Sequence, residues 1–328
     1  MRSAHHRGSF VAFARAAAWL LALVGVSICE AASTATVSSS TVTRPRMLLL
    51  DGAVVGDDIV VVGERGTILF STDQAASWQR AGSPSRATLT GVSFAPVPPP
   101  RPIRQGWAVG HDATILVSAD AGRTWVRQYQ GENLNDSFLD VLALDEQRAI
   151  SVGAYGLYVA TGDGGKTWVR RKIRDEDSHL NRITRGPGGT LYLAGEAGTL
   201  LRSTDQGATW TPIRTTYEGS FYGVMPLDRR TLIAHGLRGH IFRSTDDGAS
   251  WQKIPSPAPV LLAAGLQLRS NHLLLAGQAR TVLVSRDYGK TFATFEHGLT
   301  TGVAELLELA NGRFLALGEA GVSVLPLP

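Results

Sequence analysis

One eight-residue phrase, Ser-x-Asp-x-Gly-x-Thr-Trp with small variations, recurs six times along the 328 residues of this chain. The copies occupy residues 71–78, 118–125, 161–168, 203–210, 244–251 and 285–292, and their aspartates are Asp73, Asp120, Asp163, Asp205, Asp246 and Asp287. A glycine that closes a short apolar run stands ten residues before each aspartate: Gly63, Gly110, Gly153, Gly195, Gly236 and Gly277, with Gly318 following as a seventh. Successive glycines are 47, 43, 42, 41, 41 and 41 residues apart. A fixed period of this size marks a repeat architecture in which each unit buries its faces against its neighbours.

Within one unit, Leu191-Tyr192-Leu193-Ala194 and Thr199-Leu200-Leu201-Arg202 flank Gly195-Glu196-Ala197-Gly198. They read as strands joined by a tight hairpin, with glycine supplying the positive φ. Four such strands fit each period, and the innermost is the run after each connection, as at 89–94, 138–144, 221–227 and 303–309. The eight-residue box makes the turn from third to fourth strand. With no helical segment between units, the expected fold is all-β, a seven-bladed β-propeller with four-stranded antiparallel blades. The seventh unit reaches Pro328 just where its box should begin. A strand near Thr36-Val37-Ser38-Ser39-Ser40 is therefore expected to complete the last blade, closing the ring and removing an exposed edge. Residues 32–328 then form one domain. The Pro-rich insert at 96–102 accounts for the longer first step and should leave blade 2 on the box side, as a stiff spacer or a docking segment.

Residues 1–31 stand apart. Arg2, Arg7 and Arg15 precede or enter an apolar run over 16–29, with Cys29-Glu30-Ala31 offering a cleavage site. This is the layout of a secretory signal peptide, with an uncleaved anchor as the competing reading. Export follows from the first. Cys29 is the only cysteine, so the mature chain excludes disulfides, cysteine nucleophiles and Cys-ligated zinc. Removing three Arg and one Glu with this segment lowers the net charge from +4 to +2, which does not suggest a nucleic-acid partner.

In the box, aspartate and hydroxyl side chains accept backbone N–H groups, glycine takes a left-handed conformation, and Trp78, Trp125, Trp168, Trp210 or Trp251 packs beneath. A residue repeated once per blade is spread around the rim and cannot converge on one substrate, so these aspartates and tryptophans read as structural rather than catalytic. Ala75 replaces glycine in the first box, where a relaxed turn is expected, and Phe292 replaces tryptophan in the sixth. The cluster Asp175-Glu176-Asp177 lacks the alternating spacing of a calcium loop. No metal site or cofactor is expected.

The hairpins between second and third strands share one face with the blade-to-blade connections, opposite the boxes. Their residues vary from blade to blade, which is where specificity can reside on a constant scaffold. Candidate partner-binding residues are Arg65, Tyr155, Arg238 and Arg280 in the hairpins and Arg86, Arg214 and Tyr217 in the connections. Arginine and tyrosine suit a protein interface. Glu64, Glu196 and Glu319 lie in the same hairpins, so a paired-carboxylate glycosidase or a glycan-binding protein stays open as the alternative. No Gly-x-Ser-x-Gly, HExxH or phosphate-loop phrase occurs, and the expected reading is not an enzyme.

The box is that of the Asp-box, or bacterial neuraminidase, repeat. Together with Gly106-Trp107-Ala108-Val109-Gly110, Gly66-Thr67-Ile68-Leu69-Phe70-Ser71-Thr72-Asp73 and Phe221-Tyr222-Gly223-Val224, the chain resembles the photosystem II stability and assembly factor family over residues 36–328. That resemblance implies a non-enzymatic lumenal or periplasmic factor that binds a membrane subunit. The client is a photosystem II subunit or, in a non-photosynthetic relative, a bacterial membrane transporter. It further implies an arginine patch, for which Arg65, Arg238 and Arg280 are the counterparts. A monomer with peripheral membrane association is expected.

Overall fold

The computed structural model describes residues 38–43, 45–98, 100–102, 104–131, 133–326 and 328. The signal segment over 1–31 lies outside them. Seven antiparallel sheets follow one another along the chain, each built in sequence order from the inside outward save for the outermost strand of the first. The inner strands Leu49–Val55, Leu89–Phe94, Phe138–Ala143, Leu180–Arg185, Phe221–Pro226, Leu262–Gln267 and Val303–Glu308 are neighbours around the ring. Blade 7 meets blade 1 through its inner strand, which closes the circle. This is the expected seven-bladed propeller.

Burial explains why each blade sits where it does. Second strands such as Gly106–Gly110, Leu191–Gly195 and Phe314–Gly318 are buried throughout, because both faces are covered by neighbouring blades. Their near-continuous apolar sequence is the signature of a sheet with no wet face. Cores form between blades: Val60, Val62, Leu89 and Trp125 pack together between blades 1 and 2.

The seven marking glycines owe their identity to close approach rather than to positive φ. Gly63, Gly153 and Gly236 are extended, at φ −176°, −171° and 175°. A Cβ on any of the seven would collide with the carbonyl oxygen of the residue that precedes the inner strand of its own blade. In blade 1 that carbonyl, of Leu48, accepts the N–H of Glu64 at 3.0 Å, and His179 accepts that of Glu196 likewise in blade 4. Glycine lets the hairpin lie flat against the connection.

Closure differs from expectation. Ser38–Val42 pairs antiparallel with Trp78–Arg80, the fourth strand of blade 1, so blade 1 has five strands. Among the described residues blade 7 has three, Val303–Glu308, Phe314–Gly318 and Gly321–Leu325, and the strand Ser38–Val42 does not complete it. Side-chain packing joins the first and last blades instead: Leu307, Leu315 and Leu317 of blade 7 share a core with Leu49, Ile59 and Val61 of blade 1. The first box differs too. Ala75 takes the left-handed conformation that glycine holds elsewhere, at φ 68°, so no relaxed turn forms. The Pro-rich insert leaves the box side of blade 2, where Arg101 reaches Glu146 at 2.5 Å.

Candidate partner-binding face

Six blades present a hairpin whose apex residue holds a positive φ without being glycine. These are Arg65 (53°), Asp112 (54°), Tyr155 (54°), Ala197 (51°), Arg238 (57°) and, in blade 6, Ala279 (53°) followed by Arg280 (61°). A left-handed residue with a side chain costs about 1–2 kcal/mol. The turn persists because its backbone is fixed on both sides: Thr67 N–H donates to Glu64 O at 2.9 Å, and Leu157 N–H to Ala154 O at 3.0 Å. Apex side chains therefore project from the face.

Arg65, Arg86, Arg214, Arg238 and Arg280 are all exposed on this face, and none forms an ion pair among the described residues. Tyr155 is 71% exposed and Leu237 37%. The Tyr155 ring stands edge-on to His179 at 4.8 Å, which fixes its direction. Tyr217 is half-buried among Phe221, His240 and Phe242, with centroids 4.9, 4.8 and 5.2 Å away. Partial burial raises its phenol pKa, while the nearby Arg238 charge draws it down. Tyr217 thus serves first as the aromatic base beneath the Arg238 hairpin. The structure brings Tyr217 and Arg238 together, and it places Arg65, Arg86, Arg214 and Arg280 on the same face in separate blades and connections.

The hairpin glutamates have a structural task. Glu64 accepts the backbone N–H of Leu48 at 3.1 Å, and Glu196 that of His179 at 3.1 Å. Each ties its hairpin to the residue before the inner strand. Both carboxylates are occupied with backbone in blades 1 and 4.

The boxes lie on the opposite side and repeat one hydrogen-bond pattern. In blade 4, Ser203 Oγ donates to Asp205 at 2.7 Å, the N–H of Gly207 donates to Ser203 Oγ at 2.8 Å, and Thr209 gives its N–H and hydroxyl to Asp205 at 2.9 and 2.6 Å. Those bonds favour the ionised carboxylate, so Asp163, Asp205, Asp246 and Asp287 fall to about 2. The box tryptophans Trp78 and Trp125 are fully buried, and the Trp125 indole N–H donates to Gly122 O at 2.9 Å.

Sequence reasoning missed a polar cluster in the central channel. Arg182 on the inner strand of blade 4 pairs with Glu305 of blade 7 and lies 3.8 Å from Asp51 of blade 1 and 3.7 Å from Asp140 of blade 3. Asp51 also accepts the Val92 N–H at 2.7 Å, and Asp140 the Ile183 N–H at 2.9 Å, so each carboxylate stitches its blade to the next. Burial pushes both carboxyl pKa values up, and Arg182 pulls them back. Beside them His235 is buried and donates from Nδ1 to Leu262 O at 3.0 Å, and burial lowers its pKa to about 4. The available signal was a charged residue two positions into each of four inner strands, where Asp and Glu are depleted.

The comparisons with known proteins fit this geometry. The profile of the family described as photosynthesis system II assembly factor YCF48 matches residues 132–259. The chloroplastic photosystem II stability/assembly factor HCF136 of Oryza sativa subsp. japonica is 29% identical over 171 residues, which cover 49% of this chain and 39% of that protein. The photosystem II assembly lipoprotein Ycf48 of Synechococcus sp. (strain CC9902) is 30% identical over 115 residues, 35% of this chain and 32% of that one. The chain thus spans between 32% and 39% of the length of these curated relatives. Among solved structures, YCF48 from Cyanidioschyzon merolae superposes with a TM-score of 0.71 at 18% identity, covering 87% of this chain and 97% of that one. YCF48 bound to D1 peptide gives 0.65 at 20% identity, covering 88% and 96%. These two likenesses concern the fold. In sequence across its middle blades, and in architecture around the ring, the chain resembles the photosystem II stability and assembly factor family.

Proposed function

We propose that this protein is an exported, non-catalytic scaffold that binds an extramembrane segment of a membrane-protein complex through the hairpin face. One observation carries the reading. Five exposed arginines, with no ion pair among the described residues, share that face with the outward-held Tyr155 and Leu237, and Arg65, Arg238 and Arg280 stand on turns closed by backbone hydrogen bonds or held at positive φ. Forked guanidinium donors beside amphipathic rings fit a polypeptide partner. A related propeller solved with a D1 peptide supports a membrane subunit as the client, and relatives named as lipoproteins or as chloroplastic support export. The glycosidase alternative loses ground because Glu64 and Glu196 are engaged with backbone N–H groups rather than facing each other.

The test is capture of the client from native membranes by tagged protein. Replacing Arg65, Arg238 and Arg280 together by Ala should abolish co-purification while leaving the melting temperature within about 6 °C, since each exposed substitution changes stability by roughly 0.5 kcal/mol or less. Undiminished capture by the triple variant refutes the hairpin face as the binding surface. Hydrolysis of sialosides or xyloglucan that disappears on Glu196→Gln refutes the non-catalytic reading.

A further inference from the structure

Among the described residues blade 7 ends on an open strand edge, and a cleft lies against it. In blade 6, the third strand Val282–Ser285 is covered by a fourth, Ala293–Thr294, which pairs Val284 with Ala293. The equivalent third strand of blade 7, Gly321–Leu325, pairs Val324 with Leu315 on its inner side and has no strand on its outer side among the described residues. Exposure follows: Val284 is 3% exposed and Val324 50%. The cleft, about 970 Å³, runs beside this edge between Val322, Val324 and Leu299 on one wall and Ala75, Ala76 and Trp78 of blade 1 on the other. It occupies the place that a fourth strand fills elsewhere.

We propose that this edge is a strand-addition site, in which an extended acidic segment of a partner protein completes blade 7. A five-residue edge offers its outward N–H and C=O groups along about 17 Å, and an added strand satisfies them as a ladder. Alternate side chains of the incoming segment would meet Val324 and the apolar wall. The acidic preference comes from charge: Arg46 and Arg313 both border the cleft and form no ion pair among the described residues, against a single carboxylate, Glu319. The edge also lacks the devices that usually discourage pairing, having no lysine, proline or bulge between Gly321 and Leu325. The protein's own Ser38–Val42 is already engaged with Trp78–Arg80. This site is separate from the apical arginines of the hairpin face.

The test uses a fluorescent probe, acetyl-Glu-Val-Thr-Val-Thr-Glu-amide, titrated into the full mature protein by anisotropy. Saturable binding is expected, with slowed hydrogen exchange at Val322–Leu325 in the complex. Val324→Lys, and separately Arg46→Glu with Arg313→Glu, should each weaken binding at least tenfold without changing the melting temperature. A probe with proline at its third position should bind at least tenfold more weakly, and the Arg65, Arg238 and Arg280 triple variant should bind as tightly as the parent. The proposal is overturned by absence of binding, by equal binding of the proline probe, or by a dimer in sedimentation that Val324→Lys dissolves, which would assign the edge to a second copy.

Discussion

Arg182→Met isolates the channel cluster. The substitution keeps an unbranched apolar stem but removes the guanidinium, the only cation among the described residues that pairs with Asp51, Asp140 and Glu305, whose side chains are 7%, 7% and 6% exposed. Removing one partner of a buried charge pair destabilises by about 3–5 kcal/mol. Because the Arg182 side chain is 29% exposed toward the channel, solvent screens part of the loss and the lower end, about 3 kcal/mol, applies. For a domain of this size that is a fall in melting temperature of roughly 6–12 °C. The pH dependence has a definite sign. Asp51 and Asp140 already have folded-state pKa values raised by burial, and loss of Arg182 raises them further. A carboxyl raised above its unfolded value of 3.8 binds more protons in the folded state, so its penalty is full above the folded pKa and vanishes as pH falls toward 3.8. Thermal melts followed by far-ultraviolet dichroism should therefore show the gap between parent and variant widest at neutral pH and narrowing toward pH 4. A gap below about 2 °C, or one independent of pH, would refute the assignment of Arg182 as the counterion that holds the ring across its channel.

Ala75→Gly should stabilise the protein, since relief of a left-handed alanine at φ 68° returns about 1–2 kcal/mol and the added freedom of the unfolded chain removes about 0.5–1. A net gain near 0.5–1 kcal/mol is expected in urea titration, and a loss would show that the Ala75 methyl group matters more for packing than for strain. Asp205→Asn should lower the melting temperature at pH 7, where the parent carboxylate is ionised and hydrogen-bonded. The difference should shrink as pH falls from 3.8 toward about 2, where the parent loses that charge. A difference that stays constant over that window would mean that the box needs only the shape of the side chain.

The blade count, the inner strands and the structural task of the boxes were legible because each is written six or seven times. Leu89–Phe94 and Val303–Glu308 stand within a residue of where the repeat places them. What occurs once was harder to read. Arg182, Asp51 and Glu305 occupy equivalent positions in different blades with different residues, so no period announces them. Their partnership exists only because the ring brings distant inner strands around one channel. Counting strands suggested that the N-terminal segment belongs to blade 7, on the assumption that a ring is closed by hydrogen bonds. Leu307 and Leu317 packing on Leu49 and Ile59 achieve closure without any ladder, and that contact leaves no motif. The face of Arg65, Tyr155 and Arg238 followed from strand alternation alone, but the left-handed backbone that aims their side chains did not, because nothing in an arginine or a tyrosine signals it.

The apex positions also bear on how freely the hairpin face can vary. Arginine, aspartate, tyrosine and alanine all occupy the same twisted backbone at the tips, and for side chains unbranched at Cβ the strain of that twist comes chiefly from the Cβ itself. Exchanging one unbranched tip side chain for another is therefore close to neutral for folding. The side chains at the tips can therefore vary from blade to blade while the interior of the wheel stays untouched.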